Sequence, residues 1–457
     1  MPRLHTVIAA LVGLAVLAHA APGVAQQRER KVIVLDEIEI CCQIQKPQAA
    51  FVLQRSRVRA LPAGTPPPVA ALVERAQRGE AGALDALVSA LEQAAEFPGR
   101  RLLLGQFELD RADLALEAER DPNPHTKAAI AHLEAELTAH PGRPNIDLAY
   151  HLLGVTLLDA GRPAEAIVAF EGLLRTTPDS ALTADAWFRL GEVYFDEGAL
   201  EKAVEAYTRA SGATEPHFRT MALYKLAWTH YRREAWDDAL RGFLAVLGPP
   251  DAQPDLRSEA VEYIAITLAE DAADGDASRP RPLRHLATFL PPTDPRTPEI
   301  ALALGRTLVE VTRYDLAAET LEFLLAAWPL DRTAPSASRL LMQSHHATRR
   351  FPQLIDTMER HLQRFDAGSP WATRNRGDAE TLQQLTAELP AMRLQLVEAL
   401  LVEAQSELDQ DPPVASTVAG LLERAGRHLE RCPSGAEDVQ RLHDALQVLR
   451  ERALRLR

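Results

Sequence analysis

Cysteine is scarce in this sequence, which contains three cysteines among 457 residues. Three are too few for a disulfide framework. One interpretation of Cys41, Cys42 and Cys432 is separate reduced or buried thiols; the other is a single bridge to Cys432 or a dimer-forming thiol. A ring between the adjacent Cys41 and Cys42 is disfavoured because it is strained. The redox state of all three therefore stays open.

The sequence also lacks the short motifs of metal sites and common active sites. It has no Cys-x-x-Cys, no His-Glu-x-x-His, no nucleophile elbow and no glycine-rich phosphate loop. His345 and His346 are adjacent, and neighbours in one helix point about 100° apart, so with His361 they are not predicted to bind a metal. No pair of carboxyl groups has predictably apolar surroundings. We predict no catalytic residue, no cofactor, no metal site and no enzymatic activity.

Basic residues are fewer than acidic ones. Long apolar runs are also missing after the N-terminus. Lys and Arg number 50 against 64 Asp and Glu, a formal net charge of −14. An acidic chain has no electrostatic attraction to nucleic acid or anionic lipid. No stretch after residue 25 approaches 18 uninterrupted apolar residues, the length of a membrane-spanning helix. We predict no nucleic-acid partner and no transmembrane span in the mature chain.

Residues 1–25 have the pattern of a signal peptide. Arg3 gives a positive start, residues 7–17 are apolar and uncharged, and small-x-small cleavage sites end at Ala20 and Ala25. A retained N-terminal anchor is the alternative. The Ala-, Arg- and Pro-rich composition is typical of a high-GC bacterium. Cleavage after either site predicts export to the periplasm, with association to the outer membrane through a partner.

Residues 26–60 are predicted to form a short β segment. Apolar residues alternate with polar ones through 31–44, and another short apolar run occupies 51–53, which is the period of strands. Pro47 falls between the two runs, where a turn needs no backbone donor. A lone two-stranded unit is marginal in water. The strands are therefore expected to pack on helices, pair with a partner's sheet, or stay partly disordered.

The rest of the chain has helical periodicity. Residues 61–124 are predicted as an N-terminal helical region, 125–330 as a repeat solenoid, and 331–457 as degenerate repeats followed by C-terminal capping helices. Within the last region, a long helical stretch at 381–410 is predicted to be broken by Pro390.

One spacing recurs within 125–330. Its first copy consists of Tyr150, Leu153, Gly154, Leu157, Ala166, Phe170 and Pro178. The second consists of Trp187, Leu190, Gly191, Tyr194, Ala203, Tyr207, Ala210 and Pro216. A third surrounds Ala227, and a fourth surrounds Gly305. The step from Gly154 to Ala166, from Gly191 to Ala203 and from Gly305 to Ala317 is 12 residues each time. The glycines are predicted to let a paired helix approach closely, with Phe170 and Tyr207 filling the gap.

This spacing resembles that of tetratricopeptide repeats, each made of two antiparallel helices and a turn. The resemblance covers 147–329 and implies an all-α solenoid that binds other proteins. With the signal peptide, the chain is similar to bacterial envelope repeat proteins that coordinate the Tol–Pal system or assist outer-membrane assembly. The segment 38–48 resembles a short element of myxobacterial envelope and gliding-motility proteins. The chain departs from the lipid-anchored assembly proteins because Cys41 is not in a lipobox.

In that family the first helices of the repeats line a concave groove. The resemblance implies ten groove positions: His151, Val155, Leu158, Phe188, Glu192, Phe195, Tyr224, Trp228, Tyr231 and Arg232. Phe188 and Phe195 stand one residue after Trp187 and Tyr194, so this helix carries aromatic residues on two adjacent faces. The second face either binds a peptide or amphipathic helix, or packs against the neighbouring repeat.

These observations predict a non-catalytic periplasmic scaffold or adaptor whose groove binds a segment of an envelope protein of unknown identity. The alternative is a ligand-binding accessory module of peptidoglycan-processing enzymes, because aromatic platforms suit sugars as well as peptides. The pathway and the oligomeric state stay open.

Overall fold

A computed structural model describes residues 61–62, 65–78, 80, 82–140, 142–248, 254–271, 281–410, 413–432 and 437–455. The predicted signal peptide and the predicted β segment, with Cys41 and Cys42, lie outside these residues. The described residues form 20 helices and no strand, so the prediction of an all-α fold is confirmed for them.

The described residues fall into two compact units, one within Gln45–Ala260 and one within Val261–Arg457. The first unit contains the helices α1 (Pro67–Gln77), α2 (Ala83–Gln93), α3 (Arg100–Glu117), α4 (Asn123–Ala139), α5 (Ile146–Asp159), α6 (Pro163–Thr176), α7 (Thr183–Asp196), α8 (Leu200–Ala210), α9 (Pro216–Arg232) and α10 (Trp236–Val246). The division falls within α11 (Pro254–Asp271). The second unit continues with α12 (Pro282–Phe289), α13 (Thr297–Glu310), α14 (Tyr314–Ala327), α15 (Ala334–Ala347), α16 (Phe351–Arg364), α17 (Pro370–Arg374), α18 (Ala379–Leu408), α19 (Ala415–Leu429) and α20 (Glu437–Leu454).

Consecutive helices pair as hairpins, and six hairpins share one turn. In each turn one residue has a positive φ angle, and these residues are Glu119, Gly161, Gly198, Glu234, Thr312 and Arg349. In the α5–α6 turn, Gly161 N donates to Leu158 O at 2.9 Å and Arg162 N donates to Leu157 O at 2.8 Å. This left-handed residue satisfies the last carbonyl groups of the first helix. Only two of the six turns use glycine for it.

The close approach of paired helices depends on small residues. A Cβ added to Gly154 would lie 2.6 Å from the ring of Phe170, and one added to Gly191 would lie 2.6 Å from the ring of Tyr207. Such distances are shorter than any packed side chain tolerates, so the predicted role of these glycines is confirmed. A further contact of this kind does not follow the repeat spacing: a Cβ on Gly105 in α3 would lie 2.7 Å from Leu133 in α4.

The core is built of separate apolar clusters along the chain. One joins α1, α2 and α3, and a second extends from α3 through α8. In the second unit a cluster joins α15 and α16 to α18, α19 and α20. Each unit is therefore a stack in which a hairpin packs chiefly on its neighbours, as repeat architectures require.

The predicted break at Pro390 is wrong, because α18 runs continuously from Ala379 to Leu408 with Pro390 inside it. A proline in a helix removes one backbone hydrogen bond and crowds the preceding turn. Both halves of α18 are held by burial: Leu385 and Leu389 precede or adjoin the proline, and Leu396 follows it. This packing outweighs the local cost of the proline.

Candidate functional site

The ten predicted groove residues lie on α5, α7 and α9, the first helices of three successive hairpins. Seven of them are buried, namely His151, Val155, Phe188, Phe195, Tyr224, Trp228 and Tyr231. Leu158, Glu192 and Arg232 are partly exposed. One partly exposed residue therefore lies on each of the three helices.

The buried aromatic residues contact one another across helices. The ring centroid of Phe188 lies 5.6 Å from that of Tyr207 in α8 and 5.4 Å from that of Phe218 in α9. The ring of Tyr224 lies 6.1 Å from that of Phe243 in α10. Phe188 thus packs against the next hairpin, which is the packing alternative for the second aromatic face. A role of these rings in binding a partner stays a prediction.

A polar contact joins α5 to α7. His151 Nε2 forms a hydrogen bond with the carboxylate of Asp185, and Arg189 Nε donates to the same carboxylate at 2.9 Å. Burial acts to raise the pKa of Asp185, but the hydrogen bond from His151 and the charge of Arg189 outweigh burial and lower that pKa. Asp185 is therefore a carboxylate held between two partners.

A second contact joins α7 to α9. Lys225 Nζ donates to Glu192 Oε2 at 2.8 Å, and the Tyr207 hydroxyl donates to Glu192 Oε1. Lys225 is only 8% exposed, and a buried ammonium group needs such a partner. Burial and the adjacent charge of Glu192 raise the pKa of Tyr207 well above its ordinary value. The hydroxyl therefore stays a donor.

Two more polar contacts continue this series. Arg232 Nη1 donates to the Phe195 carbonyl at 3.0 Å, and the guanidinium lies 4.5 Å from the centroid of the Phe195 ring. The Tyr224 hydroxyl donates to Glu259 of α11. Side chains at the predicted groove positions thus connect α5, α7, α9 and α11 in order. They fix the register in which successive first helices stack.

Asp185, Lys225 and Glu259 were not among the predicted site residues. Asp185 precedes Phe188 by three residues and Glu192 by seven, so the three share one helical face. Lys225 holds a similar place, three residues before Trp228. A charged residue one turn from a groove position was the signal that would have identified Asp185 and Lys225, whereas Glu259 lies on α11, which carries no predicted groove position.

Other chemistry-bearing groups were also located. No group of three or more His, Cys, Asp or Glu side chains in the described segments is arranged to hold a metal ion. Burial lowers the pKa of His345 and, with the charges of Arg339 and Arg364, lowers the pKa of His361 to about 3. The Cys432 thiol is partly buried, forms no disulfide with another described residue, and has its pKa raised by burial. None of the described helices is long and apolar enough to cross a membrane.

Comparison with protein families identifies the hairpins. A family model described as tetratricopeptide repeat matches residues 123–181, 151–216 and 302–370. These segments are tetratricopeptide repeats. The first two matches cover α4 to α8, and the third covers most of α13 through α16, so they include four of the six hairpins that share the left-handed turn. This fold is generally a non-catalytic scaffold for protein–protein interaction, and no enzyme family is indicated.

Several solved structures match the chain. The C-terminal part of a repeat-containing protein from Cytophaga hutchinsonii is 13% identical, with 59% of this chain and 98% of that chain covered and a TM-score of 0.38. A repeat protein from Parabacteroides merdae is 11% identical, with 76% and 98% covered and a TM-score of 0.27. Pseudomonas aeruginosa pilF is 14% identical, with 61% and 99% covered and a TM-score of 0.27. No curated protein matches the chain in sequence.

Proposed function

We propose that this chain is a non-catalytic scaffold of the bacterial cell envelope that binds a protein segment along α5, α7 and α9. The observation that carries the proposal is the series of partly exposed groove residues on successive first helices: Leu158, Glu192 and Arg232. An apolar residue followed on the next two first helices by one carboxylate and one guanidinium suits an amphipathic segment with an apolar anchor and charges of both signs.

The polar contacts between the helices support this assignment. Glu192 is tied to Lys225 and Tyr207, and Arg232 is tied to Phe195, so their side chains are positioned before a partner arrives. A preorganised surface loses less conformational entropy on binding than a mobile one. The buried aromatic residues then act as support for this surface and need not contact the partner.

Photo-cross-linking in cells tests the binding surface. We expect a benzoylphenylalanine at Leu158 to cross-link to one defined envelope protein, and Leu158→Glu to abolish co-purification of that protein. Val168 in α6 is the matched control, because it is an apolar residue 66% exposed on a second helix. Equal cross-linking from positions 158 and 168, or equal loss with Val168→Glu, would contradict the proposal.

The envelope location is tested separately. The sequence pattern of residues 1–25 supports export, so the protein purified from the envelope is expected to begin near Ala21 or Gln26. An intact Met1 would refute cleavage. The rival function, a peptidoglycan-processing accessory, predicts that Leu158→Glu abolishes muropeptide binding while protein partners are unchanged.

A further inference from the structure

A cavity of about 330 Å³ lies among α14, α15 and α16, on helices that carry none of the proposed partner-binding residues. Its apolar wall includes Leu325, Leu341 and Phe365, and its polar wall includes Ser338 and His361. The volume is at the lower end of that of small-molecule sites, which is about 300–1,000 Å³.

One residue of the cavity wall stands where two other hairpins carry an aromatic ring. Ser338 stands eleven residues before the left-handed residue of its turn, the place that Tyr150 and Trp187 hold in two earlier hairpins. Ala301 is also small at this place but is fully buried. Ser338 is likewise only 3% exposed but lines the cavity, at the place where two of the earlier hairpins have an aromatic side chain.

The residue that would cover such a ring is already in place. In the α7–α8 hairpin, the Arg209 guanidinium lies 4.9 Å from the centroid of the Trp187 ring. Arg209 stands eleven residues after the left-handed Gly198, and Arg360 stands eleven residues after the left-handed Arg349. Arg360 lines the cavity. It therefore occupies the position from which Arg209 stacks on a ring.

The charges around the cavity favour an anion. Arg360 and Arg364 both line it, and neither forms an ion pair with another described residue. The acidic lining residue is Glu322, whose side chain is 54% exposed. Burial and the charge of Arg360 lower the pKa of Arg364. An anionic group at this place would therefore relieve the repulsion between the two guanidinium groups.

A buried histidine also contributes a polar atom to the cavity wall. His361 is 1% exposed, and its Nδ1 lies 3.0 Å from the Ser338 hydroxyl. Its Nε2 has no hydrogen-bond partner within the described chain. A buried polar atom without a partner is unfavourable, and a ligand with a polar edge would supply that partner.

We propose that this cavity binds an aromatic carboxylate. The ring takes the place of the side chain that Ser338 lacks, beneath Arg360, and the carboxylate pairs with Arg364. A free small molecule and the C-terminal tryptophan of a peptide share this chemistry. The site is independent of the proposed partner-binding surface in the other unit.

Calorimetric titration of the full chain tests the proposal with indole-3-acetate, with its uncharged match indole-3-acetamide, and with the peptide Gly-Gly-Gly-Trp bearing a free carboxylate. We expect the acetate to bind at least ten-fold more tightly than the acetamide. Binding of the acetate alone assigns a small-molecule ligand, and tighter binding of the peptide assigns a protein terminus. No binding of either carboxylate overturns the proposal.

Variants locate the binding. Ser338→Trp fills the cavity and is expected to abolish binding without lowering the melting temperature. Arg364→Gln keeps the cavity and is expected to weaken indole-3-acetate about ten-fold, whereas Arg374→Gln, an exposed arginine outside the lining, leaves affinity unchanged. Undiminished binding in a folded Ser338→Trp protein, or equal losses in the two arginine variants, would overturn it. The Arg364 result stands even where Ser338→Trp does not fold.

Discussion

The α7–α8 and α15–α16 hairpins have the same turn and different interiors. Counted from the left-handed residue, Gly191 and Tyr207 of the first correspond to Met342 and Met358 of the second. All four are buried. A glycine opposite a large ring has been replaced by two medium, flexible side chains. The hairpin is therefore specified by the sum of the two volumes at this contact more than by either residue.

The same comparison explains the cavity. Trp187 and Ala210 of the first hairpin correspond to Ser338 and His361 of the second. Ser338 is much smaller than Trp187, and His361, although larger than Ala210, is hydrogen-bonded to Ser338 in the wall of the cavity. In the α7–α8 hairpin the Trp187 side chain stands at this place. In the α15–α16 hairpin the same place is the wall of a cavity, lined by Ser338 and His361.

Substitution of Gly191 and Tyr207 by methionine is expected to give the largest change in stability. Gly191→Met places a side chain where even a Cβ lies 2.6 Å from the Tyr207 ring, and such overpacking costs about 3 kcal/mol. Adding Tyr207→Met should recover about 1 kcal/mol of that loss. Hydrogen exchange of amides in α7 and α8 measures the local free energy of opening.

The matched control for this exchange is Gly420→Met in α19. A Cβ at Gly420 meets nothing within 4 Å, so methionine should stabilise α19 by about 0.5–1 kcal/mol through helix propensity. A double variant no more stable than Gly191→Met alone would show that volume compensation does not exceed the loss of the hydrogen bond from Tyr207 to Glu192.

Trp187→Ser places in the α7–α8 hairpin the residue that the α15–α16 hairpin has at the equivalent position. The indole is partly buried beneath Arg209, so its loss should cost about 2–3 kcal/mol, less than for a fully buried tryptophan. Free indole is expected to raise the melting temperature of this variant and to leave the wild type unchanged. Indole without effect on the variant would mean that the space collapses.

Sequence reasoning succeeded where the pattern is local and failed where two distant residues compensate. The glycine at 191 and the ring at 207 were identifiable because both follow the repeat spacing. Gly105 and Leu133 form the same contact. Gly105, however, stands 24 residues before Ala129, whereas the glycine and the alanine of the other repeats are 12 residues apart. The helices are longer here, so the repeat spacing did not reveal this pair. The buried state of Phe188 was undecidable from sequence, since its partner Phe218 lies on a different hairpin.

The candidate sites show the same limit. The helical face of the groove could be written down from spacing, but its polar contacts, such as Lys225 to Glu192, depend on the stacking of successive helices. His361 gave no useful signal beside the His345–His346 pair. Its interest arises only from Ser338 and Arg364, which the fold brings to one cavity.

The stability of the α15–α16 hairpin should depend on pH, with a change of intermediate size. Burial acts to raise the pKa of Glu359, but hydrogen bonds from His428 and Arg424 outweigh it and lower the pKa to about 2. Because the folded pKa lies below the unfolded value of about 4.3, this carboxylate stabilises the fold above pH 4.3 and the contribution is lost as pH falls toward 2.

Glu359→Gln should therefore cost about 1 kcal/mol at pH 7, allowing for solvent screening. The difference between the variant and the wild type should shrink steadily from pH 4 to pH 2.5 in urea unfolding. The first hairpin offers the control: Asp185→Asn acts through α5 and α7, so it should leave exchange in α16 and α19 unchanged. A pH-independent difference for Glu359→Gln would exclude the ion pair as its cause.

The smallest expected effect comes from exchanging the left-handed residues of the two turns. Arg349 has a φ angle of 56° and Gly198 one of 75°, and a side chain costs about 1 kcal/mol in this region. Arg349→Gly should stabilise its hairpin by somewhat less than that, because glycine also adds entropy to the unfolded chain. Gly198→Arg should destabilise its hairpin by about 1 kcal/mol, and Gly198→Asn by less, since asparagine tolerates this conformation. Equal costs for arginine and asparagine at position 198 would place the effect in side-chain contacts instead of the backbone angle.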